Sequence, residues 1–99
     1  MAIDSEQTRL RIIERMQRAL DALYVEVLDE SWRHAGHAGA ASGGGHFILL
    51  VVSEKFEGVG LLDRHRMVFK ELQEEMGSLI HALSVRALTP QDWQSRGSQ

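Results

Sequence analysis

The stretch His46–Leu88, HFILLVVSEKFEGVGLLDRHRMVFKELQEEMGSLIHALSVRAL, decides the fold. Phe47 to Val52 is an apolar run without alternation, which predicts a strand in the middle of a sheet, paired on both edges and largely buried. After a turn around Phe56 to Gly60, the residues Leu61, His65, Val68, Leu72 and Met76 recur at helical spacing and predict a helix that Gly77 terminates. A second strand follows over His81 to Leu88, with His81, Leu83, Val85 and Ala87 facing one way. A strand, helix, strand connection within one sheet is normally a right-handed crossover between parallel strands, so these two strands run in the same direction.

Upstream of this unit, Tyr24 to Trp32 predicts a strand covered on one side, with Val25, Val27 and Asp29 on one face and Glu26 and Glu30 on the other. Between the two lies HAGHAGAASGGG, His34 to Gly45, small, glycine-rich and polar, which predicts a mobile connection longer than a tight hairpin needs. The chain opens with a helix: after the cap candidates Asp4 and Ser5, the residues Ile12, Ile13, Met16, Ala19, Leu20 and Leu23 recur on one face. Arg11, Glu14, Arg15 and Arg18 occupy the solvated face, where Glu14 and Arg18 form a favourable i to i+4 pair. At the other end Thr89 caps a last turn of helix, with Pro90 at its first position and Trp93 as its apolar anchor. The order helix, strand, strand, helix, strand, short helix defines an α/β class with a three-stranded mixed sheet covered by helices. The expected organisation is a single domain over residues 1–99, ordered from about residue 4 to 94, with a flexible loop at 34–45 and a frayed tail at 95–99.

Composition narrows the chemistry. Ninety-nine residues, 43% of them hydrophobic, fit one soluble domain and neither two cores nor a disordered chain. There is no cysteine, so this chain has no disulfide, thiol nucleophile or thiolate ligand, and any soft-metal centre must take its sulfur from a partner. A net charge of -3 argues against holding nucleic acid by bulk phosphate neutralisation, while leaving room for a local basic patch. The longest apolar run is far too short to span a bilayer, and MAIDSEQTRL lacks the basic flank and apolar stretch of a secretory signal, so a cytoplasmic location without membrane association is expected.

The predicted topology gathers histidines. Parallel second and third strands begin at the same end of the sheet, at His46 and His81, and the first strand, antiparallel to the second, ends there just before His34 and His37. His65, early in the long helix, falls toward the opposite end. Neutral imidazole is a borderline ligand for zinc, iron or copper, so four converging histidines suit a metal site. Two of them equally suit ordinary roles: His46 opening a strand fits a hydrogen-bonded edge residue, and His81 on an apolar face fits a satisfied rim histidine.

From about Leu20 to Trp93 the chain resembles a BolA-like protein. The segments VLDESWRH, GGGHFILLVVSEKFEG, LDRHRMVFKELQEEM, IHALSVRALTP and QDW match that family's pattern in order and spacing, departing in the glycine loop and the termini. The resemblance implies an α/β fold similar to the type II KH domain and partnership with a monothiol glutaredoxin around a shared [2Fe-2S] cluster. It implies that His81 and a residue of the loop between the first two strands act as ligands. His34 and His37 are both available for the loop position; His34 sits nearer the anchored strand and is favoured, and His37 reaches further. His46 is a possible additional or supporting ligand. The partner would contribute a cysteine and bound glutathione. No cofactor is expected in the isolated chain, which is expected to be a monomer or weak dimer. A ligating imidazole must be neutral, and free imidazole side chains titrate near about 6.5, so such a site is proton-sensitive and suits sensing or transfer.

The long helix carries a second feature. Arg64, Arg66 and Lys70 occupy its first half and Glu71, Glu74 and Glu75 its second, the reverse of what the helix dipole favours. Either this is a solvated face that tolerates the mismatch, or the basic start forms a surface for phosphate, a partner's carboxylate or DNA. The second option supports an alternative function, since BolA-like proteins are also described as transcriptional regulators. The two-glycine clamp of a KH domain, however, lies between helices. Here that spacing occurs only at Gly36 and Gly39, between strands. No enzyme is expected: Gly43 to Gly45 precede a strand and not a helix, and Glu30 is the single acidic candidate near the histidines for metal-assisted hydrolysis.

Overall fold

The structure, a computed structural model, describes residues 4–30 and 45–97. Helix α1 spans Ser5–Leu20, and its start is fixed by a reciprocal cap: the Asp4 carboxylate accepts the Gln7 amide at 2.8 Å, and the Gln7 side chain accepts the Asp4 amide at 3.1 Å. Thr8, Ile12, Met16 and Leu20, every fourth residue, form its buried stripe. The helix stops where Asp21 adopts left-handed backbone angles (φ 48°), so Leu23 does not extend the apolar face as the spacing predicts and is 62% exposed.

Strands β1 (Tyr24–Asp29), β2 (Gly45–Val52) and β3 (Ile80–Leu88) form one sheet in the order β1-β2-β3, with β1 antiparallel and β3 parallel to the central β2. The expected parallel direction of the second and third strands therefore holds. Phe47, Leu49 and Val51 of β2 join Val27 and Ala87 in the core beneath the helices. The alternate residues Leu50 and Val52 are also buried, on the other face, which accounts for the lack of alternation in this run. On that face Tyr24, Val52 and Leu88 share one row, and Trp93 stacks on Tyr24 with ring centroids 4.9 Å apart.

A short 3-10 turn, Glu54–Phe56, begins at Ser53, whose hydroxyl donates to the Leu20 carbonyl and accepts the Lys55 amide, tying the end of β2 to the end of α1. Helix α2 spans Leu61–Glu71 and buries Val68, with Leu72 buried immediately after. It begins at Leu61, where the apolar periodicity begins, but is shorter at its C-terminal end than that periodicity suggests. Leu61 is 69% exposed, and the helix ends five residues before Met76. Residues 72–79 instead form tight turns in which Met76 bridges Ile80, and Gly77 supplies the left-handed position (φ 85°). Helix α3, Pro90–Gly97, is capped as predicted: the Thr89 hydroxyl accepts the Asp92 amide at 3.0 Å, and the Asp92 carboxylate accepts the Thr89 amide at 3.2 Å. Its backbone is helical as far as Gly97.

Candidate functional site: a histidine at the sheet rim

The parallel pairing of β2 with β3 and the antiparallel pairing of β1 bring three chain ends together. Asp29 lies opposite Phe47, and the Glu30 amide donates to the His46 carbonyl at 2.7 Å. The chain thus leaves the sheet at Glu30 and re-enters at Gly45, whose amide donates to the Leu79 carbonyl at 2.9 Å just before β3 begins. His34 and His37 lie on the intervening segment, outside the described residues.

His81 owes its presentation to the register. Gly45 pairs with Ile80, but His46 pairs with Ala82, so one residue of β3 has no partner opposite it on β2. That residue is His81. It is exposed although Leu83 and Ala87, two and six residues on, pack against or within the core. A β-bulge of this kind re-aims a side chain and locally ends the regular alternation. The alternation alone puts His81 on an apolar face, and no sequence signal announces the extra residue. His46 is half-buried at the start of β2, beside this bulge. His65 is half-buried in α2, which starts from the opposite end of β2, as the topology requires. Among the described residues no three His, Asp or Glu side chains gather as a metal site.

The basic start of α2 is committed differently from its appearance in sequence. Arg64 is only 13% exposed. Its Nε donates to the Val59 carbonyl at 2.7 Å, and its Nη1 donates to the Ala87 carbonyl and to the Asp92 carboxylate, both at 3.1 Å. The guanidinium therefore joins α2, β3 and α3. The Thr89 amide and then Arg64 hold the Asp92 carboxyl below the usual carboxylate range. Arg66 pairs with Asp63 at 3.2 Å on the surface, whereas Lys70, also exposed, falls in the last turn of α2 and not in its first half, because the helix ends at Glu71.

The acidic half of the expected helix also resolves. Glu74 and Glu75 lie beyond the end of α2, which leaves Glu71, its last residue, as the one acid of the three within the helix. Arg11 and Arg15, on the α1 face that looks merely solvated in sequence, reach them. Arg15 Nη2 approaches Glu74 at 2.6 Å and Glu75 at 3.2 Å, and Arg11 Nε donates to Glu75 at 2.9 Å. Arg15 is held more firmly protonated by Glu74 first and by Glu75 second. The predicted Glu14–Arg18 pair is present at 3.7 Å.

Fold and rim together define a small α/β domain with an exposed strand-initial histidine beside a long inter-strand connection. The family model for BolA-like proteins matches residues 16–92. The chain belongs to the BolA-like family. It is 40% identical over 86 residues to the DNA-binding transcriptional regulator BolA of Escherichia coli (strain K12), covering 87% of this chain and 79% of that protein. It is 43% identical over 86 residues to SufE-like protein 1, chloroplastic/mitochondrial, of Arabidopsis thaliana, covering 82% of this chain but 23% of that protein. Among solved structures, a bol-like protein from Babesia bovis superposes with a TM-score of 0.76 at 32% identity, covering 97% of this chain and 96% of that one. The BolA domain of SufE1 from Arabidopsis thaliana gives 0.74 at 42% identity, covering 91% and 98%. No helix among the described residues is long and apolar enough to cross a membrane.

Proposed function

We propose that this chain is an adaptor that pairs with a monothiol glutaredoxin and contributes histidine to a shared [2Fe-2S] cluster, for iron-sulfur assembly, trafficking or iron and redox sensing. The observation that carries this reading is the exposed His81 at its bulge, on the rim where the segment bearing His34 and His37 leaves and re-enters the sheet. The donor chemistry fits: a chain without cysteine offers imidazole alone among the usual cluster ligands, and the thiolates come from the partner's cysteine and its bound glutathione. When bound, such a cluster supplies one-electron chemistry and transferable iron and sulfide. This chain's part is to bind the partner, to present a neutral imidazole from His81, and to close the site with His34 or His37, with His46 supporting.

Anaerobic reconstitution with a monothiol glutaredoxin tests the proposal. The expected product is a brown heterocomplex whose visible spectrum changes in His81→Ala. A colourless mixture, or a spectrum indifferent to that substitution, contradicts it.

A second reading, DNA-binding regulation, is favoured by the likeness to the DNA-binding transcriptional regulator BolA of Escherichia coli. Arg66 and Lys70 would supply its contacts, since the donors of Arg64 are directed inward. It predicts sequence-specific binding at physiological salt that weakens in Arg66→Ala with Lys70→Ala. Binding no stronger than that of an unrelated acidic protein of similar size would dismiss it.

A further inference from the structure

Glu75 is the one charged residue among the described residues with a buried side chain, and it lies six positions before His81. Its Oε2 receives both Arg11 Nε and Arg15 Nη2, whereas its Oε1 is sealed from solvent with no hydrogen-bond partner among the described residues. A carboxylate so placed is tolerable only while its cationic partners stay in position, so it constrains the backbone that carries it. That backbone leads directly to the rim. The Glu75 carbonyl accepts the amides of Leu79 and Ile80, each at 2.9 Å, and the Gly77 amide donates to the Ile80 carbonyl at 2.9 Å. Leu79 in turn accepts the Gly45 amide at 2.9 Å. A hydrogen-bonded path therefore runs from the two arginines of α1 to the first residues of both β2 and β3. It ends where the register slips and leaves His81 unpaired.

We propose that Arg11, Glu75 and Arg15 form a positioning clamp that sets the bulge and thereby the presentation of His81. The clamp's effect on the rim is a property of the free chain; its consequence for a bound cluster rests on the function proposed above. Glu75 is a positioning residue in this account, acting through the turn at 75–80 and touching no ligand.

The test compares Glu75→Gln, which keeps the side chain's size and removes its charge, with Val68→Ala, a core change on α2 that lowers stability without touching the clamp. In the free full-length chain, NMR is expected to show a displaced His81 ring resonance in Glu75→Gln. Amide exchange at Gly45, Leu79 and Ile80 should quicken about tenfold or more relative to Leu49. Val68→Ala should speed exchange at these sites and at Leu49 alike and leave the His81 ring in place. Arg11→Gln, on an exposed helix position, carries the same comparison if Glu75→Gln does not fold. In the glutaredoxin mixture, the visible circular dichroism of the cluster should change shape in Glu75→Gln and not in Val68→Ala. The clamp is overturned if Glu75→Gln behaves like Val68→Ala in both measurements. A wild-type mixture with no visible dichroism instead overturns the cluster reading, whatever the Glu75 variants do in the free chain.

Discussion

Arg64 donates three hydrogen bonds, two to backbone carbonyls and one to a carboxylate, from a side chain with little solvent access. Arg64→Ala leaves the Val59 and Ala87 carbonyls without that donor and releases Asp92. The expected loss in urea unfolding is about 2–3 kcal/mol. Arg66→Ala removes only a surface pair with Asp63 and should shift stability by less than about 0.5 kcal/mol. Any loss of ligand binding in Arg64→Ala must therefore be read against its fold. Asp92 adds a pH dependence with a definite sign. Its carboxyl titrates lower in the folded chain than in the unfolded one, so its contribution is complete above the ordinary aspartate value near about 3.9 and disappears as pH falls through the depressed folded value. Trp93 fluorescence should report loosening of α3 in that acid window, and Asp92→Asn should abolish this part of the acid response. His81 behaves differently from both. It is exposed at a bulge, so His81→Ala should change stability by no more than about 0.5 kcal/mol in the same unfolding assay, which makes any effect on a cluster interpretable.

At the scale of elements, the link between α1 and the turn after α2 is asymmetric. Removing Glu75 lets Arg11 and Arg15 turn to water, since their side chains are already 43% and 35% exposed. Removing the arginines strands a buried carboxylate. Arg11→Ala with Arg15→Ala should therefore cost about 2–4 kcal/mol in denaturant unfolding, against less than about 1.5 kcal/mol for Glu75→Met, whose volume fills the same space. Equal costs would mean that Glu75 is not confined as described. This link also marks where sequence reading stops. The stripe of α1, its Asp4 cap, the Thr89 cap and the central position of β2 all follow from local composition and periodicity. The end of α2 does not: Leu72 and Met76 continue the helical spacing although the chain has already turned at Glu71. Two arginines four residues apart on α1 match two adjacent glutamates on another element, and no one-dimensional pattern states which elements will meet.

For the whole molecule, the direction of the strands was legible because a strand, helix, strand connection within one sheet normally joins parallel strands, and parallel pairing carries His46 and His81 to the same rim. Their detailed relation was not, because a one-residue slip between parallel strands depends on how the preceding turn is held and leaves no compositional trace. The same topology puts the departure and return of the 31–44 segment beside that slip. The chain spans 23% of the SufE-like relative and 56% of the human BolA-like protein 1 it matches, so those larger proteins carry other segments around a similar unit.

Pulsed electron paramagnetic resonance of the reduced glutaredoxin complex, prepared with nitrogen-15 histidine in this chain alone, addresses the central claim most directly. The account predicts nitrogen hyperfine coupling from this chain's imidazole to the cluster, altered or lost in His81→Ala. A cluster that shows no coupling to the labelled nitrogen, or the same coupling with and without His81, contradicts it.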